Sequence, residues 1–239
     1  MRTIQVENDG DQNTEIVNLL RFSIEATHLS SAVFYWVDDR TRMKFVAVEG
    51  VDQSRLNLYQ STFYEHDPCS PSRMIDLQLR TQTLGQACST LPNGTMERYR
   101  PYMNFSGIRD SLEMLFWCEG RAIAGMGLIA RDGDAPCIPL EVVKLADSMQ
   151  TYIEASLLRH PHVVRELARH RLLVHYMLSP RELAVVHLVC RGLTNIEIAE
   201  ELSISLPTVK THLQNMFEKM NVSNRASLIS EVQQIGMIH

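Results

Sequence analysis

Residues 178–237 read LSPRELAVVHLVCRGLTNIEIAEELSISLPTVKTHLQNMFEKMNVSNRASLISEVQQIGM. The stretch divides into four short predicted helices, each with its own start signal. Ser179-Pro180-Arg181-Glu182 has the form of a capping box, with proline at the first helical position, where its missing N–H costs nothing. Leu183, Val186, His187 and Cys190 then recur at helical spacing, and Gly192 supplies a left-handed stop. Thr194-Asn195-Ile196-Glu197 is a second capping box, opening a helix that carries Ile198, Ala199 and Leu202 inward. Ser205 caps a third helix over residues 206–220, with Pro207 inside its first turn, and Ser223 starts a fourth.

The third helix governs the rest. Val209, Leu213, Met216, Phe217 and Met220 fall on one stripe, while Lys210, Thr211, Gln214 and Asn215 lie opposite. Those four side chains are of the kinds that reach base edges or phosphates. The short turn Leu202-Ser203-Ile204-Ser205 fits a helix-turn-helix, whose second helix enters the major groove. Periodicity alone fits a small helical bundle with an ordinary solvated face equally well.

The blocks LSPRE, RGLTNIEIAEEL, TVKTH and NVSNRASL, at these spacings, resemble the LuxR-type (GerE-like) DNA-binding domain over the last quarter of the chain. The resemblance implies a third helix lying in the major groove and a fourth that helps form a dimer. It places Lys210, Thr211 and Gln214 toward the groove, with Thr208 and Asn215 beside them, and Lys219 and Arg225 at phosphates. Val209 and Leu213 become core, and His212 is structural.

Arg181, Arg191, Lys210, Lys219 and Arg225 are outnumbered here by Glu182, Glu197, Glu200, Glu201, Glu218 and Glu231. Cations that displace phosphate counterions supply most non-specific affinity, so one copy should bind DNA weakly and salt-sensitively. A homodimer on an inverted repeat, with half-sites about one helical turn apart, would compensate. Double-stranded DNA is thus the expected partner, with RNA polymerase a further one.

The whole chain of 239 residues carries a formal charge of −5 and 45% apolar residues, the profile of a soluble globular protein with room for two domains. No apolar run approaches the ~20 residues that cross a bilayer, and the polar, acidic N-terminus is unlike a secretory signal. Five cysteines without metal-type spacing fit free thiols in a reducing cytoplasm. No cofactor and no metal site is expected. The chain holds no nucleophile elbow, phosphate loop or paired-carboxylate pattern, so it does not read as an enzyme.

Upstream, residues 1–160 read as an α+β domain and residues 161–177 as a linker before the all-α domain of residues 178–239. A helix from Thr14 precedes a hairpin of residues 32–37 and 43–48, rich in β-formers. Residues 53–64 and 96–105 are predicted helical, residues 72–93 are ambiguous, and residues 110–117 and 122–130 form a second hairpin. The first strand of that hairpin alternates, and the glycines of the second mark a bulge or a close backbone approach. Pro139 opens a long helix with Leu140, Val143, Leu145 and Met149 facing inward. The order gives an antiparallel sheet flanked by helices, whose outline resembles PAS/GAF-like sensor domains. A receiver domain is disfavoured, because Asp38-Asp39 leads into a hairpin instead of a helix.

Two fragments, Tyr64-Glu65-His66-Asp67-Pro68 and Phe105-Ser106-Gly107-Ile108-Arg109, resemble acyl-homoserine-lactone receptors. The resemblance implies that Asp67 accepts a hydrogen bond from a ligand amide. The tryptophan that those receptors place before the Asp-Pro pair is missing, and Tyr59 lies one residue off its expected place. Phe34, Trp36 and Trp117 complete the candidate ligand-binding set with Asp67 and Tyr59, although alternation sends Phe34 and Trp36 to the face opposite Tyr35. The N-terminal domain is accordingly a small-molecule sensor, a lactone receptor or a ligand-free dimerisation module. Cys69 is expected in an exposed loop, with Asp67 discouraging its reactivity.

Overall fold

A computed structural model describes residues 4–5, 13–90, 94–135 and 137–236. Most of the polar N-terminal start and the end of the ambiguous residues 72–93 lie outside them. The chain divides into two compact units, Met1–Leu157 and Leu158–His239.

The first unit is α+β. Strands β1 (Ile4–Gln5), β2 (Ser31–Val37), β3 (Met43–Glu49), β4 (Thr81–Thr83), β5 (Ile108–Cys118) and β6 (Arg121–Arg131) form one sheet in the order β1-β3-β2-β6-β5-β4. Every pairing is antiparallel. Both expected hairpins are present, β2–β3 and β5–β6, and β2 joins them through β6.

Helices cover both faces. Helices α2 (Gln53–Leu58), α3 (Pro71–Asp76), α4 (Leu84–Thr90) and α5 (Thr95–Ser106) close over Tyr35, Phe45, Val48 and Leu115. Strand alternation turns Phe34, Trp36, Met114, Phe116 and Met126 to the other face, where α1 (Thr14–Thr27) and α6 (Leu140–Leu157) pack. There Phe34 stacks on Phe116 with ring centroids 6.2 Å apart and meets the edge of Trp36 at 5.1 Å. Cover on both sides explains why β5 departs from the expected alternation: Leu112 to Phe116 are all buried.

Helix α6 is rotated from its expected setting. Ala146, Met149, Gln150, Ile153 and Leu157 face inward, while Leu140 and Leu145 are 59% and 37% exposed. Polar anchors set the rotation: Gln150 Nε2 donates to the Leu115 carbonyl at 2.6 Å, and the Glu154 carboxylate accepts the Trp117 N–H at 2.9 Å. Helix α2 passes at Tyr59–Phe63 into a π-helical turn, so the predicted helix of residues 53–64 is present but widened where Tyr59 is buried.

The second unit is all-α. Helix α7 (Pro161–His170) and a π-helical turn, Arg171–His175, occupy the segment read as a linker, and Leu172 is fully buried in this unit's core. The four helices that follow are α8 (Pro180–Cys190), α9 (Asn195–Glu201), α10 (Leu206–Lys219) and α11 (Arg225–Ile235). Both expected capping boxes form, at Ser179/Glu182 and Thr194/Glu197. Ser205 accepts the Thr208 N–H at the start of α10. The fourth helix is capped by Asn224, in a reciprocal box with Ser227, and not by Ser223. Helix α8 buries Val185, Val186, Leu188 and Val189 and leaves His187 exposed, because the other helices surround it on more than one side.

Candidate functional site

Helix α10 holds its inner stripe as the sequence spacing requires. Val209, Leu213, Met216 and Met220 are buried, and Phe217 packs against them half-buried. The opposite side carries Thr208, Lys210, Thr211, Gln214 and Asn215, all exposed. The turn before it is set by Ile204 N–H donating to the Ala199 carbonyl at 2.9 Å and by Ser203 in the left-handed region at φ 51°. Thr211 Oγ1 bonds back to the Pro207 carbonyl at 3.1 Å, and Gln214 Nε2 rests on Glu218 at 2.9 Å. Among the described residues Lys210 forms no ion pair, which leaves its ammonium for an outside anion. His212 is half-buried beside the stripe.

The structure gives Lys219 and Arg225, read from the sequence as phosphate contacts, partners inside the unit. Lys219 Nζ lies 2.6 Å from the buried Glu182 carboxylate and 3.0 Å from the Met177 carbonyl. The Arg225 guanidinium donates to the Val189 carbonyl at 3.1 Å, to the Leu193 carbonyl at 2.5 Å and to Asn195 Oδ1 at 3.5 Å. It thereby ties α11 to the end of α8 and the start of α9.

The acidic residues of this segment also have local tasks. Burial opposes ionisation of Glu182, yet hydrogen bonds from Lys219 and Ser179 hold its carboxyl below the usual range. Glu197 is held low by the Thr194 N–H that it caps, and Glu231 accepts from Tyr176 at 2.7 Å. Much of the negative charge is thus placed at helix starts and between helices.

The first unit contains a cavity of ≈ 60 Å³ between the sheet and a cover made by α2, its π-helical turn, the loop of Asp67 and Cys69, and α5. Val33, Phe45, Glu113, Gly127, Ile129 and Arg131 form its sheet side, and Leu56, Tyr59, Asp67, Cys69, Tyr99 and Tyr102 its helical side. Tyr59 donates to Asp67 Oδ2 at 2.5 Å, and Asp67 Oδ1 accepts the Cys69 N–H at 2.8 Å. The Tyr35 hydroxyl donates to Glu113 Oε1.

Burial pushes the Glu113 carboxyl up to about 8 against the pull of Tyr35, and burial likewise raises Asp67 above the usual carboxylate range. Cys69 is buried, not exposed as expected, and burial first, then the charge of Asp67, lifts its thiol well above the ordinary value.

Two glycines of β6 make room for this arrangement. A Cβ on Gly125 would lie 2.1 Å from the Tyr35 hydroxyl oxygen, and one on Gly127 would lie 2.8 Å from Glu113 Oε2. The close approach read from those glycines is made by protein side chains. Of the five ligand-binding candidates, the cavity brings together Tyr59 and Asp67. Phe34 and Trp36 pack on the opposite face, and Trp117 lies outside the lining. Glu113, Tyr99, Tyr102 and Arg131 also line the cavity and are not among the sequence candidates. A lone acid in the apolar run Leu112-Glu113-Met114-Leu115-Phe116 was the available signal for Glu113.

Comparison with known proteins bears on both units. Residues 176–232 match the family model described as bacterial regulatory proteins, luxR family. The monoamine regulon transcriptional regulator of Klebsiella aerogenes is 29% identical over 202 residues, covering 84% of this chain and 83% of that protein. The transcriptional regulatory protein LiaR of Bacillus subtilis is 49% identical over 53 residues, covering 22% of this chain and 25% of LiaR. A structure of SdiA in complex with octanoyl-rac-glycerol covers 94% of this chain and 90% of its own, at 16% identity and a TM-score of 0.43. The homologues are transcriptional regulators and not enzymes. Residues 176–232 are a LuxR-type helix-turn-helix domain, and the homologues of this chain are LuxR-family transcriptional regulators.

Proposed function

We propose that this protein is a transcriptional regulator that works as a homodimer and reads an inverted repeat through α10, while its N-terminal unit senses a small molecule. The observation that carries the DNA part is the exposed row Lys210, Thr211, Gln214 and Asn215, held on a helix whose other side is buried. A rigid helix with a donor-rich outer face is what major-groove readout needs. Base-edge readout falls to Lys210, Thr211 and Gln214, with Thr208 and Asn215 at the margins of the same face.

Dimerisation is supported by Leu145 and Tyr152, seven residues apart on α6 and 37% and 81% exposed. Sensing is supported by a cavity whose walls are largely apolar and whose few polar groups converge. A ligand would act by binding the DNA-competent and incompetent arrangements unequally. The regulon in the name of the Klebsiella relative supports control of a set of genes by this chain too. We place the protein in the cytoplasm, with RNA polymerase as its downstream partner; among the described residues no helix is long and apolar enough to cross a membrane.

An acyl-homoserine lactone is the second ligand class, favoured by Asp67 on the cavity wall. Sedimentation of the full chain with a selected duplex tests the assembly. Two chains per inverted repeat are expected. One chain per duplex at micromolar concentration would overturn the dimer.

A further inference from the structure

We propose that the N-terminal cavity binds a compact organic ammonium, its cationic nitrogen facing the Glu113 and Asp67 carboxyls and its apolar body lying among the tyrosines. The inference rests on the sensor reading of this unit and names the ligand class.

Both carboxyls line one cavity, and Glu113 and Asp67 lie near enough for the charge of Asp67 to act on Glu113. Glu113 is 7% exposed, and among the described residues no cation forms an ion pair with either acid. Each acid has one tyrosine hydroxyl as a donor, Tyr35 for Glu113 and Tyr59 for Asp67. Among the described residues none donates a hydrogen bond to Glu113 Oε2, so one acceptor position remains for a ligand. Two acids against the single cation Arg131 in the lining disfavour an anion at the acids' end of the cavity, and a neutral guest there would leave their carboxyls without a counter-charge. A bound ammonium supplies both the missing charge and the missing donors.

The walls agree with that choice. Phe45, Tyr59, Tyr99 and Tyr102 surround the acids, and aromatic faces attract cations that have left water. The volume of ≈ 60 Å³ corresponds to about four water positions, which suits a short amine better than a long acyl chain. Arg131 closes the opposite end of the strand face, four residues along β6 from Gly127 and thus about 13 Å away. Its Nε is buried without a hydrogen-bond partner among the described residues, a donor suited to an oxygen at the far end of the ligand.

The test is thermal denaturation and titration calorimetry of the full-length protein with three probe sets: short alkylamines from ethylamine to butylamine; the corresponding alcohols; and N-hexanoyl-homoserine lactone. The amines are expected to raise the melting temperature and to bind at least tenfold more tightly than their alcohols. Glu113→Gln and Asp67→Asn, each melting cooperatively, are expected to lower amine affinity tenfold or more. Equal affinity for amines and alcohols, or binding of the lactone alone, would overturn the ammonium assignment and leave the sensor reading standing. No binding in any set would overturn both, and so favour a dimerisation module. Unchanged amine affinity in both variants would remove the cavity acids from the site.

Discussion

The two units treat their charged side chains in opposite ways. The C-terminal unit uses acids at helix starts and between helices, as Glu182 and Glu197 do, and keeps the face of α10 open to solvent. The N-terminal unit draws Glu113 and Asp67 into an aromatic interior, where among the described residues only tyrosine hydroxyls and one backbone N–H donate to them. Burial without a counter-charge is costly, and such groups persist where something beyond packing uses them. Polar groups on the outside suit a large anionic partner, and polar groups inside suit a small one.

The contrast breaks most visibly at β6. Gly125→Ala would push a methyl carbon into the Tyr35 ring, backed by the sheet, and should cost about 3 kcal/mol or abolish folding of the first unit. Gly127→Ala meets the end of the Glu113 side chain, which has more freedom to shift, and should cost less. Urea denaturation of both variants checks the order. A neutral Gly125→Ala would mean that Tyr35 does not sit where the buried acid needs it.

In the second unit the corresponding weak point is Glu182. Glu182→Ala removes a capping box and leaves the Lys219 ammonium without its carboxylate, for a loss of about 2–3 kcal/mol. Melting of the full chain, followed by a probe in the C-terminal unit, measures it.

The pH dependence sharpens the difference between the units. The folded Glu113 carboxyl titrates near 8, above its value of 4.5 in open solvent, so the native state holds an extra proton between those values. Its contribution to stability is therefore full below about pH 4.5 and is lost as the pH rises through 8. Asp67, also raised by burial, has the same sign. Glu113→Gln should flatten the decline between pH 6 and pH 9 by on the order of 1–3 kcal/mol, as read from urea midpoints. Parallel wild-type and variant curves would show that Glu113 ionises freely in the fold.

The smallest stability effect is expected on α10, where Lys210→Ala should shift melting by under about 0.5 kcal/mol. Specific DNA affinity should nevertheless fall by about 1–3 kcal/mol, as fluorescence anisotropy would record. Arg225→Ala should do the reverse, destabilising the unit first, because its guanidinium binds carbonyls of α8 and the turn after it.

The C-terminal unit was legible because its signals are local. A cap three residues from its partner, a stripe at helical spacing and a short turn each lie within one element, and Ser179, Thr194 and Val209 took the roles their neighbours dictate. The roles of Lys219 and Arg225 were not legible, since their partners at Glu182 and Leu193 are 37 and 32 residues away. In the first unit both hairpins were readable from β-formers and turns. The cavity was not, because it joins Tyr59 and Asp67 to Glu113 on a strand reached only through tertiary pairing. Helix α6 was misread for a related reason: Gln150 and Glu154 look solvent-bound by type but bond to β5.

The most direct measurement is selection from a randomised duplex pool by the full-length protein, run beside a Lys210→Ala/Gln214→Ala variant of matched melting temperature. The wild type should enrich an inverted repeat with half-sites about one helical turn apart, and the variant should lose that enrichment. Enrichment of the same repeat by both proteins would contradict the assignment of DNA reading to the outer face of α10.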